Sequence, residues 1–231
     1  MQIVERTPEK MVIRMDANIS LANAIRRSVE EVPILAVDEV EFFKNDSALY
    51  DEVLAHRIGL VPLKTDSKMT NKTSLDMKLK KVGPVTVYSG DLKGGAEPVF
   101  DNIPLTILEK GHEIELVATA KLGKGTDHAK HAPGLCYYRH LAEIKSSPQI
   151  DKIVQNSKGL IKAEKKGSSW VCDLTDTEID DINKLSNGCV QDSNEILFFI
   201  ESWGQLSAEN ILKGAISSLG KNLQEFEKSF K

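Results

Sequence analysis

Apolar residues recur every three or four positions between Leu21 and Val32. Leu21, Ala24, Ile25, Ser28, Val29 and Val32 share one face of a predicted helix, and Asn23, Arg26, Arg27, Glu30 and Glu31 line the other. Ser20 is placed to cap its start. Pro33 ends it, because proline lacks an amide hydrogen and pushes the residue before it out of helical geometry. The period then drops to two: Ile34, Ala36, Val40 and Phe42 fall on one face of a following strand, Glu39 and Glu41 on the other, with Asp38 the one charge among the apolar set.

Upstream, Gln2–Arg6 and Met11–Met15 alternate as two short strands joined by a turn at Thr7-Pro8-Glu9-Lys10. Downstream, Ser47 is a candidate cap for a helix from about Ala48 to Ile58, whose stripe is Leu49, Val53, Leu54 and Ile58. Short alternating runs follow at Leu75–Leu79, Val85–Tyr88, Ile103–Leu108 and Ile114–Leu122, punctuated by Gly-Pro and Gly-Gly turns. They predict an antiparallel insert. A change of composition from Ser146 to Asn194 marks a small appended subdomain, with a short helix starting at Thr175 and turning Ile179, Ile182 and Leu185 inward.

Regular structure returns at the end of the chain. Ile196–Ile200 is apolar on both faces, which suits a strand inside a sheet. Ser207 then caps a long helix on which Leu212, Ile216, Leu219, Leu223, Phe226 and Phe230 are spaced 4, 3, 4, 3, 4, a heptad seam. Leaving such a seam in water costs several kcal/mol at about 25 cal/mol per Å2, so either the chain's own sheet or a second helix covers it. Gly214 and Gly220 weaken this helix by roughly 1 kcal/mol each relative to alanine, which favours external support. The pattern predicts an α+β fold that is discontinuous: residues 1–44 and 193–231 form one domain of sheet plus two helices, and residues 45–192 form a mainly antiparallel β insert whose last part, 146–192, is the appended subdomain. Strands 38–43 and 196–200 are expected to be neighbours, bringing the ends of the insert together.

With 231 residues, 41% apolar, the chain can bury a substantial core, and a formal charge of −4 disfavours a free-standing duplex binder. No apolar run reaches the roughly 18 residues of a membrane span, and the amino terminus has no secretory core, so the expected location is cytoplasmic. The glycine-rich stretches Lys93-Gly94-Gly95 and Gly123-Lys124-Gly125-Thr126 lack the spacing of a phosphate loop. His128, His131, Cys136 and His140 lie within thirteen residues and offer four nitrogen and sulfur ligands, although their spacing matches no familiar zinc pattern and a strand over 135–138 would hold the last two apart. Cys172 and Cys189 are either a disulfide or buried free thiols, the latter suiting a reducing compartment. No ordered catalytic triad or paired acids in an apolar setting point to catalysis.

The stretch LANAIRRSVEEVPILAVDEVEF resembles the assembly motif of an archaeal DNA-directed RNA polymerase subunit, the one that is the counterpart of the bacterial alpha subunit's amino-terminal domain and of the third-largest subunit of eukaryotic RNA polymerase II. The likeness continues through LYDEVLAHRIGLVPLKT and GKGTDHAKHAPG and into the last helix. It implies a noncatalytic assembly subunit whose discontinuous domain is a dimerisation domain. That domain would pair with subunit L through Leu21, Ile25, Val29 and the seam, contact small subunits N and P, and recruit the two large catalytic subunits, with DNA met only in the assembled enzyme. Carried over by motif, Arg26 and Arg27 dock a large subunit, and His128, Ala129 and Lys130 contact neighbouring subunits; helix arginines paired with Glu30 or Glu31 are the plainer alternative. Some relatives of this kind hold an iron-sulfur cluster in the region of the appended subdomain. Two cysteines there, against the four thiolates a [4Fe–4S] cluster takes, imply that no such cofactor is bound.

Overall fold

The structure is a computed structural model, and it describes residues 1–66, 68–70, 72–186 and 188–230. In chain order its elements are β1 (Gln2–Arg6), β2 (Lys10–Asp16), α1 (Ile19–Ser28), β3 (Ile34–Asn45), α2 (Asp51–Gly59), β4 (Ser74–Val82), β5 (Val85–Tyr88) and β6 (Lys93–Gly94). They continue as β7 (Pro104–Leu108), β8 (Glu113–Gly123), β9 (Gly134–Lys145), α3 (Pro148–Gln155), β10 (Glu164–Lys166), β11 (Ser169–Cys172), α4 (Asp176–Leu185), β12 (Val190–Ser202) and α5 (Ala208–Lys228). Helices pack on antiparallel sheets, an α+β fold with a β insert. Among the described residues, no helix is long and apolar enough to cross a membrane.

One sheet has the order β1-β2-β12-β9-β11-β10, a second has β3-β8-β4-β6, and β5 pairs with β7. β12 sits between β2 and β9 and is buried on both faces because its apolar residues serve two cores. Ile196, Phe198 and Ile200 meet α1 and α5 residues such as Ala22, Ile211 and Ala215, while Leu197 and Phe199 meet Val12 and Leu141 behind the sheet. Phe199 stacks on Tyr137 at 4.6 Å between ring centres.

β3 differs from the sequence expectation. It pairs with β8 throughout, not with β12, and the strand that flanks β12 from the insert side is β9. The division at residues 44 and 193 accordingly falls inside β3 and inside β12. The register shifts at Asp38, which is an extra residue in the ladder, so the side-chain parity reverses there. Ile34 enters the core under α1 and α5, whereas Leu35 and Val37 before the bulge and Val40 and Phe42 after it all enter the insert core. Ile34 and Val40 therefore lie on opposite faces, and simple alternation misses this because a bulge leaves no signature in a period of two.

Two caps differ as well. Asn18, not Ser20, caps α1, its side chain accepting the Leu21 amide at 3.1 Å, and the helix tightens into a 3₁₀ turn over Val29–Glu31 before Pro33. α2 begins at Asp51, three residues later than expected, and Ser47 instead accepts the Leu49 amide within the preceding turn. Thr175 and Glu178 do form a reciprocal cap on α4, but only Ile182 of its stripe is fully buried and Leu185 is exposed. α3 has no counterpart in the sequence expectation, although Ser147 capping it and Pro148 in its first turn are a strong start signal.

The appended subdomain has its own core of Ile144, Ile150, Val154, Trp170, Cys172, Leu174 and Ile182. It is tied to the first sheet by charge. The Arg14 guanidinium, largely buried, holds both carboxylate oxygens of Glu164 on β10 at 2.7 and 2.9 Å and also donates to Glu195 on β12. Glu195 in turn accepts from Lys166 at 2.7 Å.

Candidate partner-binding surface

α1 and α5 lie together on one face of the first sheet, and alanines contribute much of the contact that binds them to it. Ala22 and Val29 from α1 and its 3₁₀ turn share a buried cluster with Ala208, Ile211 and Ala215 from α5. Gly214 lies so near Val32 that a Cβ there would sit 3.0 Å from its Cγ1, so this glycine serves close packing inside the chain rather than outside it. At Gly220 an added Cβ meets nothing within 4 Å.

The heptad seam separates into two parts. Leu212 packs against the core and Leu219 is half-buried beside Asn222, but Ile216 is exposed, and Leu223, Phe226 and Phe230 are 61%, 64% and 75% exposed. Every residue from Lys221 to Phe230 is exposed. Phe226 and Phe230 meet edge to face at 4.9 Å, which is all the cover their rings receive from one another. On α1, Ile25 is half-buried and Val29 is fully buried, so Val29 supports the helix from within, while Leu21 faces solvent with Ile19.

Arg26 and Arg27 border a cleft of about 530 Å3 with Glu30, Leu135, Cys136 and Leu219. Arg26 is held by the Asn23 side chain, donating to Oδ1 at 2.9 and 3.1 Å. Arg27 is exposed, and its guanidinium makes no hydrogen bond or ion pair among the described residues; neither arginine pairs with Glu30 or Glu31. Cys136 lies under this cleft, where burial pushes its thiol up to about 12 against the opposing charge of Arg26, leaving a neutral, unreactive sulfur.

The 124–134 loop folds over the start of β3. The Lys130 ammonium reaches Asp38 at 2.9 Å, and that contact, with Lys121 as a second partner, holds the Asp38 carboxyl below its usual range despite some desolvation. Lys130 is thus mostly spent inside the chain; His128 is exposed, its ring accepting the Lys130 amide at 3.1 Å. His131 is buried, and its Nδ1 donates to the Ile34 carbonyl at 2.9 Å while the ring covers Gly123. His140 turns Nδ1 to the Ser193 carbonyl at 3.2 Å. The four candidate ligands therefore point to different partners, and among the described residues no three histidine, cysteine or acidic side chains are grouped to hold a metal. Cys172 and Cys189 are free thiols, correcting the disulfide alternative; burial pushes Cys172 up to about 11. One pair of thiols does not fit a four-thiolate cluster.

The arrangement presents exposed apolar side chains on α5 and, at Arg27, a guanidinium unpaired among the described residues. Residues 40–135 match the family model described as the RNA polymerase Rpb3/RpoA insert domain, which covers the second half of β3, α2 and β4 to β8. The class this match points to is that of RNA polymerase subunits built around such an insert. The chain is 34% identical over 248 residues to DNA-directed RNA polymerase subunit Rpo3 of Pyrococcus horikoshii, covering 97% of this chain and 95% of the relative. The same subunit of Methanocaldococcus jannaschii is 31% identical over 223 residues, covering 96% and 90%, and that of Halobacterium salinarum is 32% identical over 228 residues, covering 91% and 88%. The chain belongs to the family of archaeal DNA-directed RNA polymerase subunit Rpo3.

Proposed function

We propose that this chain is the noncatalytic assembly platform of its polymerase, pairing with subunit L through α5 and the exposed edge of α1. The observation that carries the reading is the outer half of the α5 seam. Three large apolar residues in helical register, at Leu223, Phe226 and Phe230, stand clear of the chain's own sheet, an arrangement that a second amphipathic helix covers and water does not. The resulting heterodimer recruits the two large catalytic subunits, with Arg27 and its neighbour Arg26 docking one of them at the cleft beside α1. Small subunits N and P attach nearby, and the loop bearing His128 and Lys130 meets neighbouring subunits through its exposed histidine and backbone. The chain works without an iron-sulfur cofactor, supported by its two thiols in the appended subdomain, and it meets DNA only within the assembled enzyme, in the cytoplasm.

Native mass measurement of the chain alone, and then coexpressed with subunit L of the same organism, tests the reading. A stable one-to-one complex is expected, with the lone chain self-associating. A well-behaved monomer indifferent to subunit L overturns it.

A further inference from the structure

Helical spacing offers Arg26 and Arg27 an acid each, at Glu30 and Glu31 four residues further on. The folded chain draws both acids elsewhere. The Glu30 carboxylate lies against the turn after β8, so near Gly125 that a Cβ there would overlap its Oε2, and the Glu30 carbonyl accepts the Thr126 amide at 3.3 Å. Glu31 is taken by α5. The Asn222 side-chain amide donates from Nδ2 to Oε1 at 2.9 Å and to Oε2 at 3.0 Å.

Arg26 then rests on Asn23, while Arg27 has no partner among the described residues, although Arg27 and Glu31 line one cleft. The Lys124 ammonium stands 3.9 Å from Glu31 Oε2 and is half exposed, so it is the weaker of the two groups that hold this acid. The Glu31 side chain is 25% exposed, and a carboxylate with so little water around it depends on the donors it finds in the chain. Two candidates border it in the cleft: the Asn222 amide, which takes both oxygens, and the Arg27 guanidinium, which takes neither.

We propose that Asn222 is a positioning residue for Arg27: by holding the Glu31 carboxylate on α5 it keeps that acid off the guanidinium, whose donors stay available to a carboxylate outside the chain. The inference rests on the reading above, in which Arg27 docks a large subunit, and adds what readies the guanidinium for docking. Without the Asn222 amide, Glu31 turns to Arg27 and forms the pair that helical spacing offers. That pair must then open before Arg27 can bind anything else.

The test sets two full-length variants, Asn222→Ala and Asn222→Ala with Glu31→Gln, beside the unaltered chain. Phenylglyoxal at neutral pH modifies unpaired guanidinium groups faster than ion-paired ones, and peptide mass mapping gives the rate at Arg27 with no partner present. Asn222→Ala is expected to slow that rate about threefold, the size of a partly shielded helical ion pair, and to raise the Kd of the purified heterodimer for a large subunit by about the same factor. The double variant should return both to the unaltered values, because a neutral side chain at position 31 no longer competes for the guanidinium. A clamp that merely stiffened α5 would leave the double variant no better than Asn222→Ala. The proposal is overturned if Asn222→Ala does not slow modification of Arg27, or if the double variant stays as slow as the single one. Recruitment that ignores Arg27→Ala defeats the docking reading instead, and the rates at Arg27 still decide whether Glu31 competes for it.

Discussion

Asn222 donates from Nδ2 to both carboxylate oxygens of Glu31, at 2.9 and 3.0 Å. This clamp ties α5 to the turn that follows α1, and the residues from Lys221 to Phe230 are exposed to solvent. At 1.5 Å per residue the outer ten residues reach about 15 Å along the helix direction, a lever on which Leu223, Phe226 and Phe230 are displayed.

Replacing Leu223 and Phe226 together with Asp removes apolar surface that the lone chain does not bury. The thermal midpoint of the isolated chain should stay within the range of ordinary surface substitutions, about 0.5 kcal/mol, while the complex with subunit L is lost. Differential scanning fluorimetry and native mass measurement read the two effects separately. A normal heterodimer from the double variant would sink the role given to the seam.

Arg27→Ala deletes an unpaired, exposed guanidinium and should leave both fold and heterodimer intact. Recruitment of a large subunit, measured by pull-down on the purified heterodimer, should weaken by about tenfold or more, as for loss of an interface arginine worth over 1 kcal/mol. Arg26 is a poorer probe because it braces Asn23. Equal recruitment by Arg27→Ala and the unaltered chain would show that the motif carry-over fails at this position.

Arg14→Leu leaves Glu164 and Glu195 facing each other with only Lys166 between them. We expect a loss of roughly 2 kcal/mol, concentrated in the appended subdomain, because the guanidinium is mostly buried and breaking such a pair strands its partners. Arg14→Lys should recover only part of it, since a lysine cannot hold both oxygens of Glu164 while donating to Glu195. Urea unfolding followed by Trp170 fluorescence, which sits in that subdomain's core, measures the effect.

Much of this architecture is legible from periodicity. The α5 seam, the two-faced β12 and the reciprocal cap at Thr175 are each written in local spacing, and the structure places them accordingly. The pairing of β3 is not local. Its partner β8 lies about eighty residues away, and the bulge at Asp38 that switches its faces sits where Lys130 and Lys121 reach it from across the fold. Glu31 and Asn222 are likewise 191 residues apart.

His131 gives a pH signature for the junction between the two sheets. Burial pushes its pKa below the ordinary value of 6.5, outweighing the bond from Nδ1 to the Ile34 carbonyl, and Lys130 and His128 act in the same direction while Asp38 opposes them. The folded chain therefore resists the proton that the unfolded chain accepts. Because the unfolded state binds more protons below pH 6.5, the contribution of His131 to stability is fully present above that pH. It is lost as pH falls through the window from 6.5 down to the lowered folded value. Carboxylates held low by their partners, such as Asp38 and Glu195, lose their contributions only below about pH 4, so the two windows separate. The urea midpoint of the chain should fall between pH 7 and pH 5, and His131→Phe, which removes the titrating ring but keeps a planar group over Gly123, should flatten that slope. An identical slope in the variant would mean that the proton is taken up elsewhere and that the junction is indifferent to it.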